Sequence, residues 1–170
     1  MSRRPRNVLF LCTGNSARSI LAEALLRHWG VGRFVAFSAG SRPKGQVNPL
    51  ALELLRERSL STDDLSSKSW DEFAGPEAPV MDIVVTVCHS AAGEACPLWP
   101  RAPVTVHWGI DDPAAATGTL KARRAAFRAA CREIEARVRR LAELPFKSLD
   151  ATTLEVRLAK IGRAEPEAGS

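Results

Sequence analysis

Short apolar segments that favour β-structure alternate along the chain with longer segments whose apolar residues recur every three or four positions. This alternation predicts strands connected by helices. The predicted strands cover four segments: Asn7–Cys12, Arg33–Ser38 continuing into Ala39-Gly40, Val80–Cys88 and Pro103–His107. The predicted helices are Ala17–Trp29 with Gly30 as C-cap, Leu50–Arg58 after an Asn48-Pro49 cap, Thr117–Leu141, and a small C-terminal helix carrying Leu154, Leu158 and Ile161.

Two segments depart from this alternation. The polar stretch Ser59–Pro79 predicts at most one short helix near Trp70. The last helix is predicted to stop at Gly162, and the residues after it form a loose tail. The chain is therefore predicted to consist of a main domain over residues 1–146 and a C-terminal helical extension and tail over residues 147–170.

Four strands separated by helices predict an α/β fold with a four-stranded parallel sheet and helices on both faces. Sheets of this kind bind ligands beyond the carboxyl ends of their strands. Cys12, Cys88 and the segment after His107 each follow one of the predicted strands. We expect these three segments to converge at one edge of the sheet.

Cys12 and Arg18 are separated by five residues at the first strand-to-helix turn. Free backbone N–H groups in such a turn point inward at a tetrahedral oxyanion, and an arginine clamps two of its oxygens. The same positive environment predicts a depressed pKa and a nucleophilic role for Cys12. Cys131 and Arg137 have the same spacing, but they fall inside the predicted long helix, where the N–H groups are already bonded.

Composition narrows the classes of function. The net charge of +5 is compatible with an anionic ligand, and the basic excess between Lys121 and Arg140 indicates a solvated helix face because few aromatic residues accompany it. Apolar runs stay far below the roughly 18 residues that span a bilayer, and no signal peptide is evident, so we expect a cytoplasmic protein with reduced thiols. The four cysteines form no CxxC pair, which disfavours a zinc ribbon, and Cys131 is predicted to be a packing residue.

Residues Val8–Ser19 resemble the phosphate loop of the low-molecular-weight tyrosine phosphatase superfamily, and more closely that of its arsenate reductase branch. The resemblance continues through five further segments: Phe37–Gly40, Val47–Pro49, Val84–Cys88, Ala95–Pro97 and His107–Pro113. It implies a flavodoxin-like three-layer architecture and a role in arsenic resistance. Ala114–Ala116 follow Pro113 where the phosphatases usually place an aromatic residue, and the chain has no Tyr, which favours the reductase branch.

The resemblance also implies roles for individual residues. Arsenate would bind to the loop residues Thr13, Gly14, Asn15, Ser16, Ala17 and Arg18. Cys12 would attack the oxyanion, Asp112 would protonate the leaving oxygen, and Cys88 and then Cys96 would complete a thiol–disulfide relay. The remaining disulfide would be reduced by thioredoxin, or by a glutaredoxin with a low-molecular-weight thiol.

Supporting roles follow from the same resemblance. Asn15 and Ser19 would hold the shape of the loop, and potassium would bind at Asn15, Glu23, Ser38 and Asp71. No tightly bound cofactor, nucleic acid or membrane is expected, and the protein is predicted to be a monomer. Three features depart from the best-known reductases: Ala17 replaces a frequent Cys, His89 follows Cys88, and seven residues separate Cys88 from Cys96. A tyrosine phosphatase and a non-catalytic oxyanion-binding module remain as alternatives.

Overall fold

The computed structural model describes residues 4–88, 99 and 103–163. Its centre is a parallel sheet of four strands in the order β2-β1-β3-β4. The strands are β1 (Arg6–Cys12), β2 (Phe34–Gly40), β3 (Ile83–Thr86) and β4 (Val104–His107). The chain leaves β1 towards one edge and later returns to its other side, so the carboxyl end of β1 lies at the point where the strand order reverses. In open α/β sheets this position is where ligands bind.

The described residues contain the four helices that the periodicity predicts. The helices are α1 (Arg18–Trp29), α2 (Pro49–Glu57), α3 (Leu120–Ala142) and α4 (Ala151–Arg163). Asn48 caps α2 by accepting a hydrogen bond from the N–H of Leu50 at 2.9 Å, and Thr119 caps α3 through the N–H of Ala122 at 3.1 Å. At the end of α1, the N–H of Gly30 donates to the carbonyl of Leu26, as a C-cap does.

The two faces of the sheet are covered differently. Side chains alternate between faces along a strand, so Val8 and Phe10 point to one side and Leu9 and Leu11 to the other. The first face shares a hydrophobic cluster with buried residues of all four α-helices, whereas the second packs against Trp70 and Phe73. These two aromatic residues belong to a 3₁₀ helix, Trp70–Phe73, which is the short helix expected in the polar segment. The α/β fold with helical elements on both faces is confirmed.

Two predicted boundaries are wrong. The strand expected over Val80–Cys88 pairs only over Ile83–Thr86, although the N–H groups of Asp82 and Val87 still donate to carbonyls of β1. Before the strand, side-chain bonds are added: the N–H of Asn7 donates to the Asp82 carboxylate, and the Asn7 amide donates to the carbonyl of Val80. Gly162 does not stop the last helix, which continues to Arg163. A Cβ on Gly162 would lie 2.4 Å from Cδ1 of Trp108, so this glycine permits close packing instead of ending a helix.

The last helix packs into the main core. Leu158 and Ile161 are buried in the cluster that contains the sheet, and the indole N–H of Trp108 donates to the carbonyl of Leu158 at 3.0 Å. The proposed division at residue 146 stays a prediction, and the expected tail from residue 164 onward lies outside the described residues. None of the described helices is both long and apolar enough to cross a membrane.

Candidate active site

The loop from Cys12 to Arg18 occupies the turn between β1 and α1. Its first residue ends the strand and its last begins the helix, as the sequence predicts. All seven loop residues line a cavity of about 290 Å³. The Cys12 side chain is almost fully buried beneath it, and its Sγ accepts a hydrogen bond from the N–H of Asn15 at 3.2 Å and lies 2.9 Å from the Ser19 hydroxyl oxygen.

The protonation of Cys12 differs from the sequence-based expectation. Burial is the largest influence, and it raises the pKa of the Cys12 thiol above its ordinary value of 9.0. Hydrogen bonds from Ser19 and from the N–H of Asn15 act in the opposite direction, and the nearby charge of Cys88 raises the pKa further. The predicted depression is therefore wrong for the ligand-free site. The hydrogen bonds favour the thiolate, but burial outweighs them.

Asn15 connects the loop to three neighbouring segments. Its backbone has a φ of 44°, in the left-handed region that Asn tolerates better than most residues. Its amide nitrogen donates to the hydroxyls of Ser19 and Ser38 at 2.8 and 3.0 Å, and its amide oxygen accepts from the N–H of Lys68 at 2.8 Å. These bonds are the contacts that the predicted supporting role of Asn15 and Ser19 requires.

Arg18 connects the loop to the segment after β4. One guanidinium nitrogen donates to the carbonyl of Ile110 at 2.9 Å, and another lies 3.6 Å from a carboxylate oxygen of Asp112. The second oxygen of Asp112 accepts from the N–H of Ala114, where it caps the short 3₁₀ helix Pro113–Ala115. Asp112 also lines the cavity. The structure thus places the predicted acid beside the predicted oxyanion clamp.

The second predicted redox thiol contacts the same loop. Cys88 follows β3 and is buried, and its Sγ accepts a hydrogen bond from the N–H of Thr13 at 3.2 Å. The Thr13 hydroxyl oxygen lies 3.5 Å from the same sulfur. Cys12, Cys88 and Asp112 therefore converge at one edge of the sheet. Cys96 and His89 lie outside the described residues, so the pairing of Cys88 with Cys96 stays a prediction.

Three of the four predicted potassium ligands lie together. The Ser38 hydroxyl donates to the buried Glu23 carboxylate at 2.5 Å and accepts from the Asn15 amide. The ammonium group of Lys68, however, already donates to the carbonyl of Ser38 at 3.1 Å. Asp71 is exposed, and within the described part of the chain its carboxylate has no hydrogen bond to this cluster. With Lys68 in this position the residues do not fit a potassium ion, because a second cation beside the ammonium group would be repelled.

Two basic residues beside the cavity were not predicted from the sequence. Arg42 and Lys44 line it, and their backbone N–H groups donate to the carbonyls of Thr13 and Gly14 at 2.9 and 3.0 Å. Gly40 permits this approach, since a Cβ there would lie 2.5 Å from the Thr13 carbonyl oxygen. The sequence could have indicated them, because both cations come just after β2 and the carboxyl end of β2 lies at the same edge of the sheet as Cys12.

Cys131 and Arg137 lie inside α3, as predicted. Cys131 is buried, and the guanidinium of Arg58 donates to its sulfur at 3.0 Å. Arg137 donates to the carbonyl of Gly109 at 3.3 Å and forms an ion pair with Glu133. These residues contribute to the packing of α3, and neither lines the cavity above Cys12.

Comparison with known proteins gives the family of the chain. A sequence model of the low molecular weight phosphotyrosine protein phosphatases matches residues 7–154. The chain belongs to this family. Its relatives include an arsenate reductase from Shouchella clausii, 38% identical over 136 residues, which make up 80% of this chain and 94% of that protein. The protein is thus an enzyme of the arsenate reductase branch.

Solved structures extend the likeness to the whole fold. An arsenate reductase from Archaeoglobus fulgidus superposes with a TM-score of 0.64 at 31% identity, covering 81% of this chain and 99% of that one. A thioredoxin-dependent arsenate reductase from Corynebacterium glutamicum superposes with a TM-score of 0.60 at 27% identity, covering 83% of this chain and 62% of that one.

Proposed function

We propose that this protein reduces arsenate to arsenite through a relay of Cys12, Cys88 and Cys96 and is regenerated by thioredoxin in the cytoplasm. The observation that carries the proposal is the contact between Cys88 and Thr13, because it puts a second thiol on the loop that holds Cys12. Hydrolysis of a phosphate ester requires one nucleophilic sulfur. Reduction of arsenate requires two electrons, which a pair of thiols supplies by forming a disulfide.

Arsenate binds in the cavity above Cys12. The free N–H groups of the loop and the N-terminus of α1 favour an oxyanion there, and Arg18 contacts two of its oxygens. Arg42 and Lys44 add two positive charges at the rim. The bound anion takes the place of Asp112 as the partner of Arg18 on the cavity side.

The first chemical step forms a bond between Cys12 and arsenic. Bound arsenate takes the proton of the Cys12 thiol, the resulting thiolate attacks arsenic, and one oxygen leaves as water after Asp112 donates a further proton to it. Ser19 and the N–H of Asn15 hold the thiolate, since both lie within hydrogen-bond distance of its sulfur. Arsenic remains in its oxidised state in this adduct.

The second step transfers the electrons. The thiolate of Cys88 attacks the sulfur of Cys12, the sulfur–arsenic bond breaks, and its electron pair leaves with arsenic as arsenite. The N–H of Thr13 stabilises the thiolate of Cys88 before this attack. Cys96 then attacks Cys88, which releases Cys12 as a thiolate and leaves a disulfide between Cys88 and Cys96. Thioredoxin reduces that disulfide and completes the cycle.

The test is arsenate-dependent oxidation of NADPH with thioredoxin and thioredoxin reductase. The parent is compared with Cys12→Ser, Cys88→Ser and Cys96→Ser, and Cys131→Ser is the matched control because its thiol is buried in α3, away from the cavity. We expect continuous turnover in the parent and the control only. Turnover in Cys96→Ser equal to the parent would remove Cys96 from the relay.

The phosphatase alternative makes the opposite prediction for the same variants. If the protein hydrolyses p-nitrophenyl phosphate and does not turn over arsenate, the proposal is wrong. Loss of hydrolysis in Cys12→Ser alone, with Cys88→Ser and Cys96→Ser as active as the parent, would then identify a phosphatase. We also propose that the protein acts as a monomer, which sedimentation measures directly.

A further inference from the structure

A buried carboxylate lies behind the phosphate loop. Glu23 points inward from α1 with only 2% of its surface exposed, and it accepts a hydrogen bond from the Ser38 hydroxyl. Ser38 in turn accepts from the Asn15 amide, which also bonds to Ser19 beneath Cys12. The chain of contacts from Glu23 to Cys12 is therefore continuous.

A buried carboxylate needs a compensating positive charge. Arg27 forms an ion pair with Glu23 along one side of α1, where its own side chain is partly exposed. Burial is the largest influence on Glu23 and raises its pKa, while Ser38, Arg27 and Lys68 lower it. The positive charge of Lys68 thus acts on the same carboxylate as that of Arg27.

Lys68 is held in place by both its backbone and its side chain. Its N–H donates to the Asn15 amide oxygen at 2.8 Å, and its carbonyl accepts from the N–H of Gly40 at 2.9 Å. Its ammonium group donates to the carbonyls of Ser38 and Ser66 at 3.1 and 2.7 Å. Two backbone carbonyls and a nearby carboxylate form the kind of oxygen environment that also suits a monovalent cation.

We propose that the Lys68 ammonium group is a built-in monovalent cation that fixes the Glu23–Ser38–Asn15 chain and so positions the phosphate loop without potassium. Lys68 is a positioning residue, because it acts on Cys12 only through Asn15 and Ser38. The inference rests on the proposed function only in treating this loop as the oxyanion site. It concerns the shape and stability of the loop, which are measurable without arsenate turnover.

The experiment compares thermal unfolding and the affinity for inorganic phosphate in potassium chloride and in choline chloride at equal ionic strength. Lys68→Ala removes the ammonium group and leaves space for an ion, whereas Lys68→Met removes the charge but keeps the bulk of the side chain. Lys121→Ala is the matched control, because Lys121 is an exposed lysine at the start of α3.

We expect the parent and the control to behave identically in the two salts. In choline chloride, Lys68→Ala and Lys68→Met should unfold roughly 3–12 °C lower, the shift expected for losing one charge-assisted interaction in a domain of this size. Both should bind phosphate more weakly. Potassium should restore much of the loss in Lys68→Ala and little of it in Lys68→Met.

Two results would overturn the inference. One is a potassium-specific stabilisation of the parent, which would show that Lys68 does not replace the ion. The other is a Lys68→Ala variant that potassium does not restore, which would show that the position is not a cation site. Neither result depends on reductase activity, so failure of this inference is distinguishable from failure of the proposed function.

Discussion

Cys12–Arg18 and Cys131–Arg137 are two segments in which an arginine follows a cysteine at the same spacing, yet they have different surroundings. The first is a loop whose residues line a cavity, and the second is part of α3, whose N–H groups bond within the helix. Both cysteines are buried, and burial raises the pKa of both thiols. Neither burial nor thiol pKa therefore separates an active site from a packing position.

The difference lies in what surrounds each sulfur. Cys12 accepts a bond from the N–H of Asn15 in its own loop, and this N–H is available because the loop is not helical. Cys131 receives a bond from the side chain of Arg58 on another part of the chain. A loop that presents several N–H groups to one point can bind a tetrahedral anion, whereas a helix interior cannot. Local backbone geometry thus decides which of the two segments can bind a tetrahedral anion.

The largest difference between the two segments is expected in arsenate turnover when Cys12 or Cys131 is replaced by serine. Cys12→Ser should reduce arsenate turnover by several orders of magnitude, because a hydroxyl is a much poorer nucleophile than a thiolate at neutral pH. Cys131→Ser should retain the turnover of the parent. Steady-state turnover with thioredoxin and thioredoxin reductase measures both. An equal loss of turnover in the two variants would show that the surroundings of the two cysteines do not distinguish a catalytic thiol from a packing thiol.

Replacing the arginines should give the next largest difference. Arg18→Lys should weaken phosphate binding by about 1.5–3 kcal/mol, or roughly 10- to 100-fold, because a lysine cannot form the paired contact. Arg137→Lys should leave phosphate affinity unchanged, since Arg137 faces the carbonyl of Gly109 and does not line the cavity. Isothermal titration with inorganic phosphate distinguishes the two. Unaltered affinity in Arg18→Lys would remove Arg18 as the oxyanion clamp.

Asn15 and Ile134 each lie three residues after one of the two cysteines, and replacing them separates an effect on stability from an effect on phosphate binding. Asn15→Ala should lower the free energy of unfolding by about 1–3 kcal/mol through lost buried hydrogen bonds, and it should also weaken phosphate binding because the loop changes shape. Ile134→Ala should cost about 2–5 kcal/mol by leaving a cavity in the core. It should not change phosphate affinity. Chemical denaturation together with phosphate titration checks both variants. Weaker phosphate binding in Ile134→Ala, with unchanged binding in Asn15→Ala, would contradict the role of Asn15 in shaping the loop.

The smallest expected effect concerns the protonation of Cys12. Alkylation requires the thiolate, so a raised pKa means that the alkylation rate of ligand-free enzyme rises with pH and is half-maximal above the ordinary thiol range. Ser19→Ala should shift this profile further upward, because the Ser19 hydrogen bond lowers the pKa of Cys12. Peptide mapping after iodoacetamide labelling follows Cys12 separately from Cys131. A midpoint well below the ordinary range would show that the loop N–H groups outweigh burial.

The fold and the position of the Cys12–Arg18 loop were predictable from the pattern of strands and helices. The apolar pattern located β1, α1 and α3 to within three residues, because most of their apolar side chains are buried. The predictions failed where a contact between distant segments decides the outcome. Gly162 lies within a helix and leaves room for Trp108, and that contact is not visible in the local sequence.

The site itself was only partly predictable for the same reason. Cys12, Arg18 and Asp112 belong to local patterns, and their convergence followed from their positions at strand ends. Lys68 lies in an irregular segment whose path depends on the bonds it makes with Asn15 and Gly40. No periodicity or motif marks such a residue, so its approach to Ser38 is evident only in the structure.

A single turnover of Cys96→Ser with arsenate, followed by mapping of disulfide-linked peptides, tests the central claim most directly. We expect one arsenite released per chain and a disulfide between Cys12 and Cys88, because the relay stops before the attack of Cys96 on Cys88. A variant that releases no arsenite, or one that forms a disulfide involving Cys131 in place of Cys88, would contradict the relay.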